Sequence, residues 1–175
     1  RGCDLMTIRV LSVDDHEFLA EGLRTRLSME SDLDFVGWLA AADGLTRAVE
    51  EHAPDVILLD AEMPGADPFE ALADLMRSGA SARAIVLSAY VRDTLVDRAL
   101  DAGAWGYVAK SDTPESLVAA IRRVHDGEFA FGPRVLEECR ARDTNHATEE
   151  LIQLIVDTSA EVMRQAPGPR LGVCN

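Results

Sequence analysis

The chain has 175 residues, of which 47% are hydrophobic, and a formal net charge of −14 at pH 7. This length fits one domain of ordinary size with an appendage, and the hydrophobic content argues against disorder. The acidic charge argues against non-specific nucleic-acid binding, and no apolar run reaches the ~20 residues that span a bilayer. The three cysteines are widely separated and form no metal or disulfide spacing, so we expect free thiols and a cytoplasmic location.

The first two-thirds of the chain alternates short β-branched runs with longer helical patterns. The predicted strands are Ile8–Val13, Phe35–Ala40, Asp55–Asp60, Ala84–Ser88 and Gly106–Ala109, and the predicted helices are Glu17–Ser28, Gly44–Glu51, Pro68–Ser78, Arg92–Ala102 and Pro114–Asp126. Such alternation predicts a parallel sheet covered by helices on both faces. We expect a flavodoxin-like, doubly wound α/β fold with five parallel strands in the order 2-1-3-4-5.

The pattern changes after Gly132-Pro133. Residues 7–132 are predicted to form one domain, followed by a helical C-terminal extension over residues 133–175. The extension holds a short predicted helix, Val135–Arg142, and a longer one, Thr148–Gln165, whose apolar residues share a broad stripe. The simplest interpretation of the longer helix is a packing or dimerisation element, and the alternatives are a linker or an improvised end.

Polar residues that can handle metal or phosphate stand at the ends of four predicted strands. In an open α/β sheet the ligand crevice lies at the carboxyl ends of the strands, so these side chains should converge. They are Asp14, Asp15, Asp60, Ser88 and Lys110.

The carboxylates of this set predict a site for a divalent cation, because Mg²⁺ prefers oxygen ligands. Asp15 and Asp60 are the best direct ligands, and Asp14 ligates directly or through a water molecule. Glu62 lies two residues after Asp60, where its backbone carbonyl is placed to point at the ion. Because three carboxylates in one crevice repel each other, we expect Mg²⁺ or Mn²⁺ to stabilise the fold.

Asp60 ends the central strand and is the best-placed nucleophile, since a carboxylate can attack a phosphoryl group to give an aspartyl phosphate. Lys110 and the cation would neutralise the phosphoryl oxygens, and Ser88 could donate a hydrogen bond to one of them. Singly, each residue has an ordinary explanation. Asp14-Asp15 can cap a helix, Asp60 can belong to a turn, and a lysine is usually solvated. The joint pattern favours phosphate chemistry.

Several segments of the chain resemble the receiver domain of two-component response regulators. They are Val13–Leu23, Leu59–Gly65, Ser88-Ala89, Gly103–Lys110 and Thr113–Ile121. The first and last of these are similar to the subfamily that usually carries a LuxR-type helix-turn-helix output domain. The resemblance covers about residues 7–135.

This resemblance implies that Asp60 accepts phosphate from the phosphohistidine of a sensor histidine kinase. It also implies that Asp14 and Asp15 organise Mg²⁺ and that Lys110 contacts the phosphoryl group. Such a domain is a phosphorylation switch rather than an enzyme.

The resemblance further implies a switching group. Ser88, with its small neighbour Ala89, would move toward the phosphoryl group, and Tyr107 would change rotamer. The surface formed by the fourth strand and helix and the fifth strand and helix would then serve dimerisation or partner binding. The alternative explanation of Tyr107 is a half-buried strand aromatic.

Three positions depart from the family pattern. Glu62 stands where the subfamily often has Arg or Asn, Tyr90 also flanks the entry of attacking water, and Pro68 replaces a usual Gly. Pro68 should stiffen the loop that leads into the third helix.

The C-terminal extension weighs against DNA binding by this chain. Residues 133–175 contain five arginines, no lysine and seven acidic residues, which is the wrong sign for a DNA footprint. The first hypothesis is therefore a signalling receiver that acts through a protein partner or a homodimer. A truncated or atypical DNA-binding transcriptional regulator is the second. A metal-dependent phosphatase, with Glu62 as its acid, is the third, although the chain lacks length for a substrate cap.

Overall fold

The computed structural model describes residues 7–142. Its strands are β1 (Ile8–Val13), β2 (Leu33–Leu39), β3 (Val56–Asp60), β4 (Arg83–Ser88), β5 (Gly106–Ala109) and β6 (Ala130–Phe131). Its helices are α1 (Glu17–Leu27), α2 (Leu45–His52), α3 (Pro68–Arg77), α4 (Asp93–Asp101), α5 (Pro114–His125) and α6 (Pro133–Arg142), with a 3₁₀ turn at Ala42–Gly44 before α2.

The sheet is parallel throughout and has the strand order β2-β1-β3-β4-β5-β6. The predicted order of the first five strands and the α/β fold class are confirmed. β2 is added on one side of β1 and β3 on the other, so the strand order reverses between β1 and β3. This switch point places the ligand crevice beside the carboxyl ends of these two strands.

The predicted count of five strands was wrong, because β6 adds a sixth at the edge beside β5. This strand has two residues and so carries no readable periodicity. It forms because Ala130 N donates to Trp105 O at 3.0 Å and Gly132 N donates to Tyr107 O at 2.8 Å. Gly106 lets the two backbones approach, since a Cβ at that position would lie 2.7 Å from Ala130 O.

The core has two halves, one on each face of the sheet, as the uniformly apolar central strand requires. Val56 and Leu58 of β3 pack on the face covered by α1 and α5. Ile57 and Leu59 alternate with them and pack on the face covered by α2, α3 and α4. All four side chains are fully buried, so β3 is held in place from both sides and its last residue, Asp60, is positioned by the whole core.

Helix starts follow the predicted chemistry. Pro68 and Pro114 occupy the first turns of α3 and α5, where a missing N–H costs nothing. Asp67 caps α3 by accepting from Phe69 N at 2.9 Å, and Thr113 caps α5. These caps fix the points at which the loops after β3 and β5 end and the next helices begin.

The short helix predicted at Val135–Arg142 begins two residues earlier, at Pro133. Val135 is buried in the core half that contains Tyr107, so the first turn of α6 packs against the sheet. The predicted helix Thr148–Gln165 lies outside the described residues, and the predicted boundary between residues 132 and 133 stays a prediction. Among the described helices, none is both long and apolar enough to cross a membrane.

Gly106→Ala should destabilise the protein by about 1–3 kcal/mol, because the new methyl group must push the β6 backbone away. The free energy of unfolding in urea measures this. Gly22→Ala, in the exposed face of α1, is the matched control. The added Cβ would meet no described atom within 4 Å apart from its chain neighbours and the nearby backbone of its own helix, and stability should rise by up to about 1 kcal/mol. A Gly106→Ala protein as stable as the wild type would contradict the close approach of β5 and β6.

Candidate functional site at the carboxyl ends of the strands

Asp60 lies at the tip of β3 with only 1% of its surface exposed. Its Oδ1 accepts a hydrogen bond from Glu62 N at 3.1 Å. Ala61 N donates to Leu87 O at 2.8 Å, which continues the sheet one residue past the strand end. The carboxylate is therefore rigidly held at the crevice floor.

Asp14 follows β1 and is also 1% exposed. Its Oδ1 accepts from His16 N at 2.8 Å, and its carbonyl accepts from Trp38 Nε1 at 2.7 Å. Neither Asp14 nor Asp15 is the N-cap residue of α1, although Asp14 accepts from the backbone of the residue that is. His16 is the N-cap of α1, and it makes no side-chain capping bond to a described residue.

Lys110 follows β5 and reaches across the crevice to both buried carboxylates. Its Nζ lies 2.7 Å from Asp14 Oδ2 and 2.9 Å from Asp60 Oδ2. Burial lowers the pKa of Lys110, but the hydrogen bond to Asp14 and the negative charges of Asp14 and Asp60 outweigh it and raise that pKa above its ordinary value. The lysine is therefore charged at neutral pH.

The contact between Lys110 and Asp60 is close but poorly directed. Asp60 Oδ2 is buried and accepts no well-formed hydrogen bond from any described residue, although the ammonium is near. A buried carboxylate oxygen without a directed donor is unusual. It leaves Asp60 Oδ2 with unused capacity to bind.

The ligand atoms of Asp14, Asp15, Asp60 and His16 lie within 4.8 Å of one another. Sequence reasoning grouped the three aspartates and did not include His16 in the site. The His16 ring lies with Nδ1 3.0 Å from both Asp14 Oδ1 and Asp15 Oδ1. Its position next to the acidic pair was the signal available in the sequence. The three carboxylates form an oxygen donor set that suits a hard divalent cation.

Ser88 ends β4 and is fully buried. Its Oγ donates to Tyr90 O at 2.7 Å and accepts from Tyr90 N at 3.1 Å. Tyr107 OH donates to the same Tyr90 carbonyl at 3.1 Å, and burial raises the pKa of Tyr107. Two hydroxyl groups thus share one backbone acceptor, a role for Tyr90 that the sequence did not suggest.

The Glu62 side chain reaches from the β3 loop to the end of β4. Its Oε2 accepts from Ala89 N at 3.3 Å and lies 3.4 Å from Ser88 Oγ. Two roles of Glu62 were predicted from the sequence, its carbonyl as a metal ligand and its carboxyl as the acid of a phosphatase, and both stay predictions. The side-chain contact depends on how closely the loops after β3 and β4 approach each other, and the periodicity of the sequence does not show this.

Comparison with known proteins agrees with this geometry. Residues 10–122 match the family described as the response regulator receiver domain. The chain therefore belongs to that family and contains the receiver domain of a two-component response regulator.

Its relatives include LuxR-family regulators. The chain is 34% identical over 158 residues to the response regulator protein VraR of Staphylococcus aureus, covering 90% of this chain and 75% of VraR. A LuxR-family two-component response regulator from an Aurantimonas species has a TM-score of 0.74 and 29% identity, covering 79% of this chain and 99% of that one. The receiver domain of the NarL response regulator from Mycobacterium tuberculosis has a TM-score of 0.66 and 30% identity, covering 70% and 98%.

Lys110→Met should destabilise the metal-free protein by about 3 kcal/mol, because Asp14 and Asp60 are left buried without their cation. Urea unfolding in a chelator measures this, and Lys110→Arg, which keeps the charge, should lose less. The raised pKa means that the contribution of Lys110 is present below the ordinary value of 10.5 and is lost only as the pH rises through the higher folded-state value. An unfolding free energy unchanged in Lys110→Met would contradict the bridging role.

Proposed function

We propose that Asp60 is the phosphoacceptor of this receiver domain and takes its phosphoryl group from a sensor histidine kinase. The observation that carries the proposal is Asp60 Oδ2, a buried oxygen that lacks a directed donor among the described residues and lies 2.9 Å from the Lys110 ammonium. An Asp60 oxygen attacks phosphorus, the P–N bond of the kinase phosphohistidine breaks, and the released imidazole nitrogen takes up a proton. Lys110 then neutralises charge on the phosphoryl oxygens.

A divalent cation, Mg²⁺ or Mn²⁺, belongs to this proposal as an electrostatic clamp on the transferring oxygens. Asp15 and Asp60 would bind it directly, and Asp14 would bind it directly or through water. The Glu62 carbonyl would be the remaining ligand from the protein. The clustering of the three carboxylates within ligand distance supports this assignment.

Phosphorylation would act on the Ser88–Tyr90–Tyr107 group. The Ser88 hydroxyl has one proton, which now goes to Tyr90 O at 2.7 Å. Donating that proton to a phosphoryl oxygen removes one of the two bonds to the Tyr90 carbonyl and leaves Tyr107 as its remaining donor. The exchange of hydrogen bonds at the Tyr90 carbonyl therefore couples phosphorylation of Asp60 to the loop between β4 and α4.

The output of the switch would be a change of the surface formed by α4, β5 and α5. Tyr107 lies in β5, and Tyr90 precedes α4, so both connect the crevice to this surface. We propose that it serves homodimerisation or binding of a protein partner in the cytoplasm, and that the chain turns over no substrate of its own.

Incubation with acetyl phosphate and Mg²⁺ should add one labile phosphoryl group to the wild-type chain, because a small phosphodonor replaces the kinase. Intact-mass analysis measures it. Asp60→Asn should abolish the label, since the amide is a poor nucleophile.

The control is Asp43→Asn, which alters an exposed aspartate in the turn before α2 and should keep the label. A label that persists in Asp60→Asn would place the acceptor elsewhere. Steady release of inorganic phosphate over many turnovers would favour the phosphatase hypothesis instead.

Mg²⁺ should raise the melting temperature, because it binds the folded crevice and relieves carboxylate repulsion. At a concentration about 100-fold above its dissociation constant, linkage adds about 2.7 kcal/mol. Asp15→Asn should lose most of this shift. Sodium chloride at matched ionic strength controls for screening, and an equal rise with both salts would refute a specific site.

A further inference from the structure

Glu62 lies against two groups at the end of β4 that could serve a phosphoryl group on Asp60. Its Oε2 accepts from Ala89 N at 3.3 Å and lies 3.4 Å from Ser88 Oγ. Ala89 N and Ser88 Oγ belong to the end of β4, the strand hydrogen-bonded beside β3. A group bound to Asp60 and directed toward β4 would meet the same N–H.

The backbone of Glu62 fixes the direction of this reach. Glu62 N donates to Asp60 Oδ1 at 3.1 Å, so the residue is tied to the acceptor itself. Its side chain then spans from the β3 loop to the β4 loop across the crevice. The carboxylate thereby links the two loops through its contact with Ala89 N.

Of the two contacts, the one to Ala89 N decides the competition. The Ser88 hydroxyl gives its proton to Tyr90 O at 2.7 Å, so it has none left for Glu62 at 3.4 Å. The Ala89 N–H has the charged Glu62 carboxylate as its acceptor, at 3.3 Å.

We propose that the Glu62 carboxylate is an internal surrogate for a phosphoryl oxygen, which phosphorylation of Asp60 must displace from Ala89 N. The inference rests on the proposed function of Asp60 and adds a competitor to it. Glu62 opposes phosphorylation in two ways: it fills the donor, and its negative charge repels an incoming anion. Removing it should make the site easier to load.

Beryllofluoride with Mg²⁺, applied to the full chain, is the probe of loading. Glu62→Ala removes both the acceptor and the charge, and we expect it to bind beryllofluoride about fivefold more tightly, the equivalent of one hydrogen bond. Glu62→Gln removes the charge but keeps an acceptor oxygen, so its affinity for beryllofluoride should lie between those of the wild type and Glu62→Ala. Both substitutions leave the backbone carbonyl of Glu62 in place.

Glu51→Gln is the control for net charge. Glu51 is exposed near the end of α2, which leads into the opposite end of β3, and its loss should leave beryllofluoride affinity unchanged.

The amide resonance of Ala89 tests the surrogate separately from loading. In the unphosphorylated, metal-free chain, Glu62→Ala should move this resonance toward that of a weaker hydrogen bond. If beryllofluoride binds but both Glu62 variants match the wild type in affinity, or if the Ala89 resonance stays in place, the inference is overturned while the Asp60 proposal survives. If no variant binds beryllofluoride, the Asp60 proposal fails, and the surrogate fails with it.

Discussion

A single ammonium group holds the crevice of this receiver domain together. Lys110 Nζ contacts Asp14 Oδ2 and Asp60 Oδ2 from a third strand end, so one side chain joins β1, β3 and β5. Both carboxylates are almost fully buried, and burial of two like charges without a counter-ion is strongly unfavourable. The ends of the central strands can therefore pack as closely as they do because this lysine lies between the acids.

The donors around Asp60 are already engaged. Lys110 pairs with carboxylates, the Ser88 hydroxyl donates to Tyr90, and Ala89 N donates to Glu62. Phosphorylation is then an exchange of partners rather than the filling of an empty pocket. In an exchange, only the difference between old and new interactions shifts the equilibrium. That difference can be small, which suits a switch that has to be reversible.

Sequence reasoning recovered what depends on local pattern. The strand runs, the proline-led helices and the residues at strand ends follow from periodicity and turn chemistry, and β3 and Asp60 fell where the alternation placed them. It missed β6, whose two residues exist only because Gly106 admits a neighbouring backbone. It also missed His16, the Tyr90 carbonyl and the contact of the Glu62 side chain with Ala89 N as parts of the site. These features depend on which loops meet at the carboxyl ends of the strands, and the periodicity of the sequence does not show which loops meet.

The charge of the crevice sets what the switch requires. Around Asp60 stand the carboxylates of Asp14, Asp15 and Glu62, against the one ammonium of Lys110. Converting Asp60 to an aspartyl phosphate replaces its single charge by about −1.5 to −2. The excess negative charge can be offset by a divalent cation at the aspartates and reduced by moving a carboxylate out of the crevice. Asp14 is buried and held by Lys110, and the exposed Asp15 is the proposed direct ligand of the cation. Glu62, which is also exposed, is therefore the carboxylate that can turn to solvent. The electrostatics and the hydrogen bonds therefore assign the same residue to leave when phosphate arrives.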